Sequence, residues 1–432
     1  MPLLTMSDPE RPAQPPARSS SVSDSELLTV EAAQRRMVAL CTPLAVTELV
    51  ELGAAQGRIS AVDIISPIDV PAHDNSAMDG FAFSAAELEV GGEIALREVG
   101  TALAGTSSKT RLARGECMRI MTGAVLPEGA DTVVPMELTT RALQGVIIPA
   151  GQRAGQHRRQ RGEDLKAGST AVPKGRRLGP AEVGLLASLG IEHVPVVRRL
   201  RVAVLSTGDE VRALGEPLGR GQIYDSNRYT LAAMLRRLDV ELIDLGVAAD
   251  DPVALEAALR RGCREADALV TSGGVSVGEA DFTRTLLARL GDVAFWKIAM
   301  KPGRPLAFGT LADDGRQAVL FGLPGNPVAA MVTFCVLVKE ALARLAGEVP
   351  RPMARLTLRS AEDLPKKPGR TEFLRGIAYP GEAGWQVRLT GEQGSGILRS
   401  MSEANCLIVL AHAQGPVAKG EFVEALPLDG LL

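Results

Sequence analysis

The stretch Arg201-Val202-Ala203-Val204-Leu205-Ser206-Thr207-Gly208-Asp209-Glu210 decides the fold. Its apolar run is unbroken from Val202 to Leu205, which suits a strand covered on both faces, as strands of parallel sheets are. Downstream, Leu231, Met234, Leu235 and Leu238 recur at helical spacing, and Glu241 to Leu245 reads as a second strand. A helix from Pro252 to Arg264, a strand from Ala268 to Thr271 and a helix from Phe282 to Leu290 follow. The run closes with a strand from Ala318 to Phe321 and a long helix from Pro327 to about Leu345. Strand and helix alternate, so residues 199–348 are expected to form right-handed βαβ units on a parallel sheet, the central α/β domain of a multidomain protein.

The flanks read differently. Residues 66–167 hold short β-prone runs, such as Cys117 to Met121 and Asp131 to Val134, punctuated by Gly and Pro, and suggest a small β-rich domain. Residues 25–65 together with 168–198 read as an extended opening domain with helical and linker segments. Beyond residue 349 period-two runs predict a small C-terminal β-barrel, and residues 1–24, rich in Pro, Ser and charge, are expected to be a disordered tail.

The chain of 432 residues carries 48 Lys and Arg against 51 Asp and Glu, a balance that argues against a long nucleic-acid footprint. No apolar run approaches the roughly 20 residues that cross a bilayer, and no secretion signal opens the chain, so a cytoplasmic protein without membrane partners is expected. Five scattered cysteines form no C-x-x-C pair and four histidines lie far apart. Any metal here is therefore hard and held by oxygen.

In open α/β sheets ligands bind at the carboxyl ends of the strands, so the loops after those strands are where chemistry is expected. The loop from Thr271 to Asp281 contains Ser272, Gly273, Gly274 and Ser276 ahead of a helix, a pattern that lets backbone N–H groups approach a phosphate. Asp281 then offers a carboxylate beside that anion, sensible if a divalent cation bridges the two; a plain N-cap is the alternative. The match of Gly274 to Gly278 to a hydrolase elbow is set aside, because the strand ends too early and the only downstream histidine, His412, belongs to another domain. Asp209 and Glu210 offer adjacent carboxylates for a metal or a ribose hydroxyl, or else a solvated turn. The loop with Pro324, Gly325, Asn326 and Pro327 combines helix capping with close ligand approach. Lys297, Lys301 and Arg304 around Pro302-Gly303 suggest a positive pocket for an oxyanion. The basic run from Gly151 to Asp164 lacks an aromatic stacking residue, which disfavours RNA.

Together these segments resemble the molybdopterin molybdenumtransferases, the family of the bacterial MoeA proteins and the E-domain of gephyrin. The motifs that carry the resemblance are Pro71 to Ala82, Arg119 to Ala124, Arg161-Gly162-Glu163-Asp164, Ser206 to Glu210, Ser272 to Asp281, Lys301-Pro302-Gly303-Arg304-Pro305 and Leu323 to Pro327, in the family's order. The resemblance implies a four-domain homodimer with a molybdopterin-binding-like central domain. It would insert molybdate into adenylated molybdopterin, releasing AMP with the help of a divalent cation such as Mg2+. It implies that Asp281 and Asp250 serve the metal, and that Lys297, Lys301, Arg375 and Ser395 cradle molybdate. Asp79, Thr122, Asp164 and Glu210 match further positions that affect activity. Turn-stabilising hydrogen bonds are the competing role for Asp79 and Thr122. Arg304 stands where the family often has lysine, which keeps the charge and changes its geometry. Because no adenylylating domain is fused, a separate molybdopterin adenylyltransferase is the expected partner. Two alternatives stay open at this point: a nucleotide pyrophosphatase using the same α/β domain, and a non-catalytic gephyrin-like scaffold.

Overall fold

A computed structural model of the chain describes residues 27–90, 92–106, 109–143, 145–274, 280–349, 353–382 and 384–429. The expected tail at 1–24 lies outside them. The chain divides into two compact units, one of residues 45–198 and one that joins the residues up to Leu44 to Arg199–Leu432.

The larger unit holds a seven-stranded sheet in the order Leu27–Leu28, Gly291–Ile298, Pro305–Asp313, Arg316–Leu323, Ala268–Ser272, Arg201–Thr207 and Glu241–Ala248. The last four strands are mutually parallel, as the apolar runs predict. The sheet as a whole is mixed, because Pro305–Asp313 runs antiparallel to both of its neighbours. The sequence reading gives no strand at Gly291–Ile298 or Pro305–Asp313, whose faces are only partly covered.

Helices cover both faces. Asn227–Arg236 buries Leu231, Met234 and Leu235 against one side, and Pro252–Glu265 buries Leu255, Leu259 and Cys263 against the other. The second helix starts as its sequence dictates, with Pro252 in its first turn and the Asp251 carboxylate accepting from Ala254 N–H at 2.8 Å. Burying one such leucine contributes about 2 kcal/mol, so each helix is held chiefly by its apolar stripe. The long helix from Pro327 to Leu345 is present and relaxes into a π-helical stretch at Phe334–Val338. There the Gln34 side chain donates to the Val336 carbonyl at 2.8 Å. That bond comes from the helix Val30–Leu40, which the sequence reading grouped with the extended opening segment. Its buried Val30, Ala33 and Met37 instead join the core of the α/β sheet, and Leu27–Leu28 adds an edge strand beside Lys297–Ile298.

In the same unit the strands Leu356–Ser360, Thr371–Gly381, Gly384–Leu389, Cys406–Leu410 and Phe422–Pro427 close into a five-stranded barrel, because Thr371–Gly381 pairs with both Gly384–Leu389 and Cys406–Leu410. The short strand Met300–Lys301 lengthens it by pairing with Thr371–Glu372, which ties the basic turn of the α/β domain to the barrel.

In the smaller unit a six-stranded sheet runs Thr132–Pro135, Gly80–Phe83, Glu116–Ile120, Ile94–Ala102, Gly145–Ile148 and Thr140–Ala142. Around it Thr47–Glu51 pairs with His193–Val197, and Ile64–Ile65 with Thr170–Val172, so the two halves flanking the small domain in sequence meet in space. Among the described residues no helix is long and apolar enough to cross a membrane.

Candidate active site

The strands Arg201–Thr207, Ala268–Ser272 and Arg316–Leu323 run parallel and end side by side, so the three loops that follow them converge. They open a cleft of about 840 Å3 whose far wall is the basic turn Lys301 to Pro305 and the barrel loop Gln393 to Gly396. Of the residues singled out from sequence, Glu210, Asp250, Ser272, Gly273, Gly274, Lys301, Pro324, Pro327 and Ser395 line it.

The glycine loop is wedged against the first strand. Gly273 has φ of +96°, and a Cβ there would stand 2.5 Å from the Thr207 carbonyl oxygen, so only glycine fits. Gly273 N–H also donates to the Leu323 carbonyl at 3.2 Å. Asn227 joins this loop to the next: its Nδ2 donates to Ser272 Oγ at 2.7 Å and to the Gly325 carbonyl at 2.6 Å. Sequence reading passed over Asn227 because it stands just ahead of the apolar stripe that marks its helix; a polar residue at a helix start was the available signal. Asp225, also missed, lines the cleft while almost fully buried. It accepts from Ser206 Oγ at 3.0 Å and from Arg228 Nε at 2.8 Å, so its charge is neutralised within the protein.

The opposite wall is cationic. Lys301 and Arg304 reach the cleft, and Lys301 Nζ lies 3.5 Å from the buried Glu372 carboxylate. Arg304 is held in the turn by its carbonyl, which accepts from Ile298 N–H at 2.7 Å. Lys297 is not among the lining residues: it stands mid-sheet between Leu27 and Pro305. Arg375 sits behind the barrel loop at 1% exposure, with Nε donating to Ser400 Oγ at 3.0 Å and Nη2 to the Gly394 carbonyl at 3.0 Å. Burial pushes its pKa down, and no carboxylate among the described residues forms an ion pair with it. It therefore holds the barrel loop at Gly394, next to Ser395, and leaves an uncompensated positive charge beside the cleft. The Ser395 carbonyl in turn accepts from Val328 N–H at 3.1 Å at the start of the helix Pro327–Thr333.

Carboxylates gather at one side. Asp250 N–H donates to Asp209 Oδ1 at 3.0 Å, and the Asp250 carboxyl is pushed above its ordinary range by partial burial and by the charges of Asp209 and Glu210. Among the described residues no group of three or more His, Cys, Asp or Glu is gathered to hold a metal by itself. Glu210 and Asp250 do suit a hard cation that takes its remaining ligands from a substrate phosphate and water, since a cation there relieves their mutual repulsion. Ser276 lies outside the described residues. Asp281 falls in the first turn of the helix Ala280–Leu290, and its side chain is likewise outside the described set.

The remaining sequence candidates stand in the smaller unit. Thr122 donates to Asp79 Oδ1 twice, from its backbone N–H and from its hydroxyl, both at 2.7 Å, and these bonds hold the Asp79 pKa below the usual carboxylate range. Asp164 follows the turn at Gly162, its N–H donating to the Val70 carbonyl at 3.0 Å. The five cysteines are free and buried, and desolvation pushes Cys41, Cys117 and Cys335 up to about 12, so these thiols are inert at neutral pH.

Three family models match the chain in order. The MoeA N-terminal region (domain I and II) matches residues 28–190, a probable molybdopterin binding domain residues 203–344, and the MoeA C-terminal region (domain IV) residues 357–428. The molybdopterin molybdenumtransferase of Haemophilus influenzae is 42% identical over 409 residues, which cover 94% of this chain and 100% of that protein. The Nostoc enzyme of the same name is 36% identical, covering 88% of this chain and 89% of its own. A molybdopterin biosynthesis MoeA protein from Pyrococcus horikoshii superposes with a TM-score of 0.72 at 32% identity, over 93% of this chain and 99% of that one. A second structure from that organism gives 0.78 at 26% identity, over 93% and 100%. With the three regions in register and a 42% identical relative matched along its full length, the chain belongs to the MoeA family of molybdopterin molybdenumtransferases.

Proposed function

We propose that this cleft inserts molybdenum into molybdopterin, a step of molybdenum cofactor biosynthesis, using adenylated molybdopterin and molybdate as substrates and releasing AMP. One observation carries the reading: a glycine loop that admits no Cβ faces Lys301, Arg304 and the loop held by Arg375 across a single cleft, so two anions can be held close together. Insertion requires that arrangement, because a dithiolate and an oxyanion repel each other until fixed positive charge offsets them.

The residues divide the work by their chemistry. The glycine loop at Gly273 and Gly274, with Ser272 Oγ positioned by Asn227, binds the phosphate end of the nucleotide substrate. Lys301 and Ser395 bind molybdate, with Arg375 acting from behind the loop; Lys297, which stands in the sheet, acts through the local field. Glu210 and Asp250, with Asp281, would hold a divalent cation such as Mg2+, which when bound stabilises charge on the leaving phosphate. Asp79, Thr122 and Asp164 contribute to activity across the interface of a homodimer, and the Thr122 bonds keep Asp79 ionised for that role. The protein works in the cytoplasm and receives its adenylated substrate from a molybdopterin adenylyltransferase.

A nucleotide pyrophosphatase and a gephyrin-like scaffold are not favoured, since the relatives are molybdenumtransferases along the whole chain. The test is a defined reaction with adenylated molybdopterin, molybdate and Mg2+, following AMP release and reconstitution of a molybdenum-free apoenzyme. Molybdate-dependent AMP release by the wild type, lost in Asp281→Asn, supports the reading. AMP release without active cofactor would favour the pyrophosphatase, and no release at all would favour the scaffold.

A further inference from the structure

We infer that Tyr224 is the stacking platform for the planar nitrogen heterocycle of the nucleotide substrate, a role that rests on the molybdenum-insertion reading of the same cleft. The loops described so far account for anions and a cation, yet a nucleotide or pterin also presents a flat ring that needs an apolar face. Tyr224 is the one aromatic residue among the described residues lining the cleft, and it remains 43% exposed. Its hydroxyl donates to the Glu216 carbonyl at 3.0 Å, so the polar tip is satisfied by the protein and the ring is held in one orientation. A ring oriented beforehand loses little entropy when it stacks.

Its surroundings fit the same role. Ile223–Tyr224 pairs in parallel with Val211–Arg212, and Ile223 and Val211 also line the cleft, so apolar surface accompanies the ring. Ile223, at 56% exposure, is a large apolar residue left open to solvent. Its N–H donates to the Glu210 carbonyl at 2.8 Å. The platform is thus built directly onto Glu210, the residue proposed to hold the cation, and shares its cleft. A purely local role, in which Tyr224 only fastens the segment from Val211 to its own position through Glu216, would depend on the hydroxyl. Stacking depends on the ring.

That difference defines the experiment. The full-length wild type, Tyr224→Phe and Tyr224→Ala are titrated calorimetrically with AMP, with pterin, and with ribose 5-phosphate, which carries the phosphate and no ring. Stacking of a base on an aromatic side chain is worth about 1–3 kcal/mol, so Tyr224→Ala should bind the ringed ligand about tenfold or more weakly. Tyr224→Phe should stay within about twofold of wild type, and ribose 5-phosphate should bind all three proteins alike. A loss confined to AMP identifies the ring as adenine; a loss confined to pterin identifies it as the pterin. Equal affinity of wild type and Tyr224→Ala for both ringed ligands overturns the platform and leaves molybdate-dependent AMP release untouched. So does a loss in Tyr224→Phe as large as that in Tyr224→Ala, which would assign the effect to the hydroxyl. If AMP release itself fails in the wild type, the underlying reading falls with it.

Discussion

Replacing Gly273 by alanine tests the geometry of the cleft, and its size can be worked out from the structure. At φ +96° the new Cβ would stand 2.5 Å from the Thr207 carbonyl oxygen, whereas ordinary contact begins at 3.4 Å, so about 0.9 Å of movement is needed. The strand that carries Thr207 is hydrogen-bonded on both sides, by Glu241–Ala248 and by Ala268–Ser272, so the loop yields and the strand does not. Holding a residue with a Cβ in this backbone region costs about 1–3 kcal/mol. Misplacing a substrate-positioning group by about 1 Å costs about a hundredfold in rate. The expected outcome is a Tm lower by several degrees together with a kcat/KM for AMP release about a hundredfold down. Gly325→Ala is the matched control: its Cβ would meet nothing nearer than Gly273 Cα at 3.8 Å, and its backbone is not left-handed, so its Tm should match the wild type. Circular dichroism melts and chromatographic AMP detection give both quantities. A Gly273→Ala protein that melts and turns over like the wild type would refute the wedge against Thr207.

Asn227→Ala removes two hydrogen bonds that join neighbouring loops, each worth about 1 kcal/mol; kcat should fall at least tenfold with a modest drop in Tm, and an unchanged kcat would show that the loops hold their places unaided. Asp250→Asn should abolish activity that depends on added divalent ion while raising Tm at pH 8, because a carboxyl with a raised pKa in the fold is destabilising when ionised. That gain in Tm is full above the raised pKa and shrinks as pH falls through it toward the ordinary carboxylate range, so a gain independent of pH between 4 and 8 would contradict the assignment. Lys301→Met should raise the KM for molybdate at least tenfold and cost about 1 kcal/mol through the stranded Glu372 carboxylate, with Lys301→Arg recovering most of the stability; equal KM values for all three proteins would remove Lys301 from the molybdate site.

The parallel half of the sheet was legible in the sequence chiefly through its central strands, which are buried on both faces, so that Val202 to Leu205 and Ala268 to Val270 carry unbroken apolar runs. The strands Gly291–Ile298 and Pro305–Asp313 carry apolar runs too, Val293 to Trp296 and Leu306 to Phe308, but their antiparallel pairing breaks the alternation of strand and helix that made the rest readable, and their coverage is partial. Glycine and proline made the three loops readable, because those residues announce close approach and capping. Asn227 shows only its place at a helix start, and Asp225 and Tyr224 show no signal, since their importance comes from what tertiary structure sets opposite them: Ser272, Ser206 and the open cleft. Arg375 shows the converse. Its motif marks it as a site residue, and the fold then places it behind the loop.

The pairing of Leu27–Leu28 with Lys297–Ile298 sets a timetable for the chain as it leaves the ribosome. Translation runs at about 5–20 residues per second, and the partner strand follows 270 residues later in the numbering of the chain. The opening strand and the helix Val30–Leu40 therefore wait for tens of seconds with Val30, Ala33 and Met37 uncovered. The unit of residues 45–198, which holds apolar clusters of its own, is synthesised in full during that interval. A nascent chain stalled before residue 291 would thus present a finished insert flanked by an exposed apolar helix, the kind of surface that holdase chaperones shield until the late strand arrives.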